Sequence, residues 1–275
     1  MAKTVFVTGS SKVTGKKIAL EYAKAGYDVG ITYNSNEEGA KDAVAQIEAM
    51  GRKAKYYYFD TRDVEACKKT IKEFADEFGG IDVFVNNTGL TIFSRFLDTE
   101  PEVWTKLFET NFRGCYFCGQ TAARDMVERG KKGVIINISS VHSEGTWPHD
   151  TLYGPCKAAI KRLTEAEALD LAPYGIRVNC VAPGYIDPEW DYSKGDMPEV
   201  YKKIFDACQE RIPLHRIAKA EEIGKACVFL SSDAAAYITG QTLHVDGGNL
   251  LPVVCENSYM PGATQEEKTW RRRKQ

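Results

Sequence analysis

The chain has 275 residues, of which 43% are hydrophobic and 27% are charged, and its formal net charge is −2. This composition is typical of one large soluble α/β domain with an extensive core. Since the charge is nearly balanced, we expect neither nucleic acid nor a membrane as a partner. No apolar run approaches the roughly 20 residues of a membrane span, and no apolar leader follows Met1, which predicts a cytoplasmic location.

Eight cysteines are scattered along the chain, and only Cys115 and Cys118 form a close pair. That pair lies in an apolar helical stretch, without a second pair or histidines at zinc spacing. We therefore expect free, buried thiols and no metal site.

Short apolar runs alternate with stretches of helical periodicity through most of the chain. Strands are predicted at 4–8, 27–33, 54–59, 81–85, 133–139, 176–181 and 242–245. Helices are predicted at 16–25, 37–50, 62–78, 151–171 and 221–230, with two short ones between 188 and 210. A long helical region from a capping box at 99–102 to residue 129 is expected to bend near Gly114. The alternation predicts a parallel sheet covered by helices on both faces.

The domain predicted from these elements covers residues 1–248, and residues 249–275 form a C-terminal extension. The extension begins with an apolar run at 250–254 and ends with basic residues at 271–274. A solvated tail is one interpretation of it. Because the apolar run is unfavourable in water, the other is a segment that caps a substrate site or a subunit interface.

A polar, glycine-containing loop separates the first strand from the first helix, running from Gly9 to Gly15. A strand, such a loop and a helix together place backbone N–H groups at a helix N-terminus, where they bind phosphate. This segment is therefore a candidate nucleotide site.

Tyr153 and Lys157 are four residues apart on the predicted helix 151–171, so both lie on one helix face. An ammonium group beside a phenol stabilises the phenolate. Such a tyrosine gives a proton to a carbonyl group or takes one from an alcohol. Ser139 and Ser140 end the strand before it, at the edge where open α/β sheets bind ligands.

These motifs together resemble the short-chain dehydrogenase/reductase family, over about residues 4–248. The motifs that carry the resemblance are Thr8-Gly9-x5-Gly15, Asn86-Asn87-x-Gly89, Asn111 with Gly114, Ser140, Tyr153-x3-Lys157 and Pro183-Gly184. The resemblance implies a single Rossmann-type, doubly wound domain with a seven-stranded parallel sheet, assembled as a homodimer or homotetramer. It also implies an oxidoreductase that interconverts a small-molecule alcohol and ketone by hydride transfer.

The resemblance assigns four catalytic residues. Tyr153 would be the proton donor in reduction and the base in oxidation, and Lys157 would assist it and bind the nicotinamide ribose. Ser140, thirteen residues before the tyrosine, would bind the substrate oxygen in place of Ser139. Asn111 would hold a proton-relaying water, or else be a core amide that bends its helix.

By the same resemblance, NAD(P)(H) is the expected cofactor, with Asp60 near the adenine. The residues expected to bind it are Gly9, Ser11, Lys12, Val13, Thr14, Gly15, Tyr33, Asn34, Ser35, Asp60, Thr61, Asn87, Thr88, Gly89, Tyr153, Lys157, Pro183, Gly184 and Ile186. The second strand ends without an acid to bind a ribose 2′-hydroxyl. Together with Lys12, this favours NADP(H) over NAD(H).

Two residues depart from the family pattern. Val13 stands where a glycine is usual, and a β-branched residue does not readily adopt positive φ. Pro188 stands where a threonine often binds the carboxamide, so backbone groups near Ile186 would have to replace it. We therefore expect a rearranged loop or an altered cofactor affinity, but still an active enzyme.

Aromatic residues are frequent in the segments expected near the substrate: Phe93, Phe96, Trp147, Tyr185, Trp190, Tyr192, Tyr201 and Phe205. They favour a bulky apolar substrate such as a hydroxysteroid or another cyclic alcohol, unless they only pack against one another. A 3-oxoacyl thioester is the alternative substrate, and a sugar or polyol is a further one. An alternative of another class is a dinucleotide-binding regulator without catalysis.

Overall fold

The computed structural model of the chain describes residues 2–188 and 197–251. Its centre is a seven-stranded sheet in the order β3-β2-β1-β4-β5-β6-β7, and each neighbouring pair is parallel. The strands are β1 Thr4–Val7, β2 Asp28–Tyr33, β3 Ala54–Tyr58, β4 Val83–Asn86, β5 Val134–Ile138, β6 Arg177–Pro183 and β7 Thr242–Val245. This is the predicted doubly wound sheet.

The described residues contain eight α-helices. They are α1 Val13–Lys24, α2 Glu37–Ala49, α3 Val64–Phe78, α4 Pro101–Phe108, α5 Gly114–Glu128, α6 Tyr153–Leu171, α7 Glu199–Arg211 and α8 Ala220–Ser231. None of the described helices is both long and apolar enough to cross a bilayer.

Strand β1 shows how the core is divided between the two faces of the sheet. Val5 and Val7 belong to an apolar cluster with residues of α1, α2 and α8. Phe6, between them, belongs to a second cluster on the other face, where its ring lies 5.1 Å from that of Phe74 in α3. Since successive strand residues point to opposite faces, a strand buried on both sides must be apolar throughout.

The α-helical pattern is interrupted just before Gly114, and the predicted bend of the helix axis stays a prediction. A π-helical turn, Glu109–Arg113, joins α4 to α5, and Gly114 begins α5. A Cβ at Gly114 would lie 2.6 Å from Thr61 Cβ, so only glycine allows the helix to pass that close.

One local prediction was wrong. The capping box at 99–102 does not form, because Glu100 is the N-cap of α4 and Thr99 Oγ1 contacts Ser94 Oγ and the Arg95 carbonyl oxygen instead. Of the two short helices predicted between 188 and 210, α7 lies in the described residues and continues to Arg211, and the rest of that prediction falls on residues 189–196, outside the described residues.

The expectation of free thiols is confirmed for the cysteines that the structure describes. Each of them is free and buried: Cys67, Cys115, Cys118, Cys156, Cys180, Cys208 and Cys227. Burial raises the pKa of Cys115 well above its ordinary value, so this thiol is an inert apolar side chain. Cys255 lies outside the described residues.

Candidate active site

The loop between β1 and α1 depends on two glycines. Gly9 has a φ of +63°. A Cβ at Gly15 would lie 2.2 Å from the Gly9 carbonyl oxygen and 2.5 Å from Asn87 Nδ2. The helix therefore starts directly against the loop, and no side chain fits between them.

The N-terminus of α1 carries backbone N–H groups without partners. Those of Val13, Thr14 and Gly15 donate to no atom of the residues that the structure describes. Unpaired amides at a helix N-terminus bind anions, helped by the positive end of the helix dipole. This end of the site therefore fits the pyrophosphate of a dinucleotide.

Val13 keeps the backbone conformation of a glycine, with a φ of +40°. A left-handed conformation costs a residue with a Cβ roughly 1–2 kcal/mol, so Val13 strains this loop. Its effect on cofactor affinity stays a prediction.

The loops after β1 and β4 are joined by side-chain hydrogen bonds. Asn87 Nδ2 donates to the carbonyl oxygens of Thr8, at 2.9 Å, and Gly9, at 3.0 Å. Thr8 Oγ1 accepts from the backbone N–H groups of Asn87 and Thr88, both at 2.9 Å. These bonds hold the two loops as one unit where β1 and β4 lie side by side.

Beside this unit lies a cleft of about 410 Å³. The predicted cofactor residues that line it are Gly9, Ser11, Lys12, Tyr33, Asn34, Ser35, Asp60, Thr61, Asn87, Thr88 and Gly89. Sequence reasoning missed five further lining residues: Phe59, Arg62, Leu90, Lys106 and Thr110. Arg62 could have been found, because it directly follows the predicted Asp60-Thr61 pair.

The charged side chains of the cleft are Lys12, Arg62, Lys106 and Asp60. Arg62 Nη2 donates to the Asp60 carboxylate at 2.6 Å, and this pairing lowers the pKa of Asp60. With the only acid of its lining paired, the cleft is electropositive. The nearest acid after β2, Glu37, contacts Lys41 Nζ at 3.4 Å within α2.

The predicted cofactor residues after β6 lie outside the lining of this cleft. Pro183 ends the strand, and the Gly184 N–H donates to the Val245 carbonyl oxygen at 3.0 Å. Ile186 forms an isolated parallel bridge with Ala218. The hydrogen bonds of this bridge run from the Asp187 N–H to the Ala218 carbonyl oxygen and from the Ala218 N–H to the Tyr185 carbonyl oxygen. No hydrogen bond from another described residue to the Ile186 N–H or carbonyl group is seen, so both fit a contact with a ligand.

Tyr153 and Lys157 meet on α6 as their spacing predicts. Lys157 is 4% exposed, and its Nζ lies 5.7 Å from the centre of the Tyr153 ring. Lys157 Nζ also donates to the Ile138 carbonyl oxygen at 2.8 Å, at the end of β5. The Tyr153 hydroxyl has no hydrogen-bond partner within 2–188 or 197–251, so it is available for proton transfer.

The structure distinguishes the two serines after β5. Ser139 Oγ donates to the Lys157 carbonyl oxygen at 2.8 Å, a bond that attaches β5 to α6. Among the described residues Ser140 Oγ only accepts, from the His142 N–H at 3.3 Å, so its own proton fits a bond to a ligand. This arrangement fits the predicted choice of Ser140.

Asn111 lies within the π-helical turn and is fully buried. Its side chain accepts from the Leu90 N–H and donates to the Leu90 carbonyl oxygen, both at 2.9 Å. The visible role of this amide is to attach the loop after β4, and the water relay stays a prediction. A Cβ at Gly89 would lie 3.6 Å from Asn111 Oδ1 and 3.5 Å from Lys157 Nζ, so the cleft that Gly89 lines lies close to Lys157.

Aromatic rings surround Tyr153. The Phe93 ring centre lies 6.3 Å from that of Tyr153, and Trp147 stacks on His142 at 4.0 Å. Phe96 is 78% exposed and is not one of these ring contacts. Trp190, Tyr192 and the side chains of Tyr201 and Phe205 lie outside the described residues.

Sequence reasoning also missed His142 and Asp150. His142 Nδ1 lies 2.6 Å from Asp150 Oδ2, and the His142 ring meets that of Tyr153 edge to face at 5.3 Å. Asp150 Oδ1 accepts from the Gly154 N–H at 2.8 Å, at the start of α6. The one available signal was that both residues lie between the catalytic serine and tyrosine.

Comparisons with known proteins agree with this geometry. The profile of the family described as enoyl-(acyl carrier protein) reductase matches residues 10–249. The L-rhamnose 1-dehydrogenase (NAD(P)(+)) of Azotobacter vinelandii is 38% identical, over 90% of this chain and 96% of its own. The 3beta-hydroxysteroid dehydrogenase 1 of Eggerthella lenta is 36% identical, over 90% and 94%. The crystal structure of a gluconate 5-dehydrogenase from Burkholderia cenocepacia, in complex with NADP and tartrate, is 34% identical, with a TM-score of 0.82 over 91% and 96%.

The fold, the phosphate-binding loop and the Ser140, Tyr153 and Lys157 set occur together in one chain. The relatives are named as dehydrogenases, so the alternative of a regulator without catalysis is not retained. This chain belongs to the short-chain dehydrogenase/reductase family and is an NAD(P)-dependent oxidoreductase of alcohol and ketone groups.

Proposed function

We propose that this enzyme interconverts a cyclic secondary alcohol and its ketone with NADP(H). The observation that carries the proposal is Tyr153, whose ring lies near Lys157 Nζ and the rings of Phe93 and His142 and whose hydroxyl has no hydrogen-bond partner among the described residues. Flat rings bind the apolar face of a cyclic molecule, and the few polar groups beside them orient it.

The chain's own residues supply the proton chemistry. The bound nicotinamide would deliver a hydride to the carbonyl carbon in reduction, or take one from the alcohol carbon in oxidation. In reduction, Tyr153 gives its hydroxyl proton to the substrate oxygen, and in oxidation its phenolate takes that proton back. Ser140 Oγ donates a hydrogen bond to the same oxygen, where negative charge develops.

Lys157 has two roles in this chemistry, in binding the ribose and in stabilising the phenolate. The bond from its Nζ to the Ile138 carbonyl oxygen uses one of three ammonium protons. The others remain for the ribose hydroxyls, and the positive charge stabilises the Tyr153 phenolate. The buried position strengthens this attraction, because the local dielectric constant is lower than that of water.

A preference for NADP(H) is supported by the charges of the cleft. Lys12 and Arg62 line it together with Ser35, and the acid beside Arg62 is already paired. A 2′-phosphate gains charge-assisted hydrogen bonds from such groups. No carboxylate among the described lining residues is left to bind a 2′-hydroxyl and repel that phosphate.

Among cyclic alcohols, a hydroxysteroid is the first candidate, supported by the aromatic rings near Tyr153 and by the relative from Eggerthella lenta. The second candidate is a 3-oxoacyl thioester, favoured by the description of the matching family profile. A thioester chain needs a long channel, whereas the rings beside Tyr153 favour a flat molecule.

The deciding experiment measures loss of nicotinamide absorbance with NADPH or NADH and three ketones: a 3-ketosteroid, 2-hydroxycyclohexanone and a 3-oxobutanoyl thioester. We expect turnover of a cyclic ketone with NADPH and none with the Tyr153→Phe enzyme. Turnover of the thioester alone would replace the cyclic substrate by the second candidate. Faster turnover with NADH would reverse the cofactor preference.

We also propose that the start of the C-terminal extension closes the substrate side. Leu250 Cδ2 and the Trp147 ring both lie within 3.4 Å of the place where a Cβ at Gly145 would be. Deletion of residues 250–275 should therefore raise the KM for the substrate more than that for the cofactor. An unchanged KM would leave the extension as a solvated tail.

Self-association and a cytoplasmic location remain proposals. The groove of about 490 Å³ between α5 and α6 supports self-association, because Tyr116, Val127 and Tyr174 line it and are exposed. Light scattering after gel filtration should give a dimer or a tetramer, and Tyr116→Glu should lower that mass. A wild-type monomer would contradict the proposal.

A further inference from the structure

We propose that His142, oriented by Asp150, binds a hydroxyl group next to the reacting carbon. The preferred substrate is then a cyclic 1,2-diol or the matching 2-hydroxyketone. This inference rests on the proposed function, because it assigns the group beside the oxygen that Tyr153 and Ser140 bind.

The first step is the tautomer of the imidazole. Asp150 has a side chain that is 1% exposed, with Oδ1 accepting from the Gly154 N–H and Oδ2 lying 2.6 Å from His142 Nδ1. An ionised carboxylate only accepts hydrogen bonds, so Nδ1 must carry the proton. In the neutral imidazole this leaves a lone pair on Nε2.

The second step is the position of Nε2. No hydrogen-bond partner for it exists among the described residues, and it is not one of their fully buried polar atoms without a partner. Nε2 is therefore open to a small molecule. Stacking on Trp147 and the bond to Asp150 limit rotation of the ring.

The third step is the distance to the reaction. The His142 ring lies 5.3 Å from the Tyr153 ring, and the His142 N–H donates to Ser140 Oγ. A substrate oxygen held by Ser140 and Tyr153 thus places its neighbouring carbon beside the imidazole. A hydroxyl on that carbon donates to Nε2, whereas a CH₂ group or an ether leaves the lone pair unpaired.

The chemistry predicts a selectivity that the wild-type enzyme should show. With NADP+, kcat/KM for 1,2-cyclohexanediol should exceed that for 2-methoxycyclohexanol by about tenfold or more, because the ether cannot donate to Nε2. Cyclohexanol, which lacks the second oxygen, should also be the poorer substrate. This measurement needs no variant and does not depend on how a variant folds.

His142→Asn is the matched variant, because the asparagine amide can still donate to Asp150 and has no atom at the position of Nε2. It should lower the ratio of kcat/KM for the diol to that for cyclohexanol by about tenfold. His149→Asn is the control: His149 is exposed in the same loop, and asparagine tolerates its φ of +64°. The control should keep the wild-type ratio, and melting temperature with NADP+ binding would verify both folds.

The outcomes separate the inference from the proposed function. Turnover of cyclohexanol and the diol with equal kcat/KM, or an unchanged ratio in His142→Asn, would overturn the role of His142 and leave cyclic alcohol oxidation in place. Turnover of neither alcohol, and of no 3-ketosteroid, by wild-type enzyme that binds its cofactor would overturn both. A preference for the diol that His142→Asn alone abolishes supports the inference.

Discussion

Lys157 Nζ donates to the Ile138 carbonyl oxygen at 2.8 Å, so this cation on α6 is attached to the end of β5. Ser139 Oγ makes a reciprocal bond to the Lys157 carbonyl oxygen at 2.8 Å. Together they hold the helix that carries Tyr153 against the strand that leads to Ser140.

Lys157→Met should reduce both turnover and cofactor affinity, because it removes the charge beside Tyr153 and the donor for the ribose. It should also lower the free energy of unfolding by about 1–3 kcal/mol, since the Ile138 carbonyl loses its partner. The measurements are kcat, the NADPH dissociation constant and denaturant unfolding. Lys161→Met, one turn along α6 and paired with Glu144, should change none of them strongly. A fully active Lys157→Met enzyme would contradict the assigned role.

Tyr153→Phe should abolish turnover and leave folding and cofactor binding almost unchanged. Its hydroxyl makes no hydrogen bond to the described residues, while the ring contacts with Phe93 and His142 are kept. The loss should appear in kcat and not in KM, because the proton is needed only in the transition state. Substantial residual kcat would mean that another group supplies the proton.

Gly15→Ala should weaken cofactor binding and stability together. Its Cβ would approach the Gly9 carbonyl oxygen to 2.2 Å, a backbone contact that must be relieved by moving the loop or the helix. Displacement of α1 also breaks the alignment of the free N–H groups with the pyrophosphate. Calorimetric titration with NADP+ and thermal unfolding measure the two effects, and unchanged affinity would place the phosphates elsewhere.

Lys12→Gln should reduce the preference for NADPH over NADH by roughly tenfold, the effect of losing one charge-assisted bond to a phosphate. Lys12 is exposed in the cofactor cleft, so its removal should scarcely affect the fold. Dissociation constants for both nucleotides, measured at two salt concentrations, would test this. An equal loss for NADH would mean that Lys12 binds the shared pyrophosphate.

Glu167 makes the stability depend on pH. It accepts from Asn137 Nδ2 at 2.8 Å, and desolvation raises its pKa from the ordinary 4.5 to about 7. Between these values the folded state binds more protons than the unfolded state, so the free energy of unfolding falls as the pH rises from about 4.5 to 7. Glu167→Gln should reduce this fall by roughly 1–3 kcal/mol, whereas Glu165→Gln should preserve it. Parallel pH profiles for the wild type and Glu167→Gln would contradict the shift.

The sheet could be predicted from the sequence because its strands are short apolar runs, and β1 is buried on both faces. An irregularity near Gly114 was also accessible, since glycine is a poor helix former, and the structure has a π-helical turn directly before it. The capping box at Thr99 failed because Ser94 and Arg95, which precede it in a folded loop, offered its hydroxyl other partners. Side-chain hydrogen bonds within loops compete with local capping motifs, and sequence periodicity does not show which of the two forms.

The sequence by itself determined the fold class, the phosphate-binding loop and the pairing of Tyr153 with Lys157, since strand alternation and helical spacing are local properties. Only the tertiary structure decided that Ser139 attaches β5 to α6, that the Asn111 side chain hydrogen-bonds the Leu90 backbone, and that Asp150 orients His142. Each of these contacts joins separate elements or distant points of one loop. Their partners are chosen by how the chain packs in three dimensions, which residue spacing does not encode.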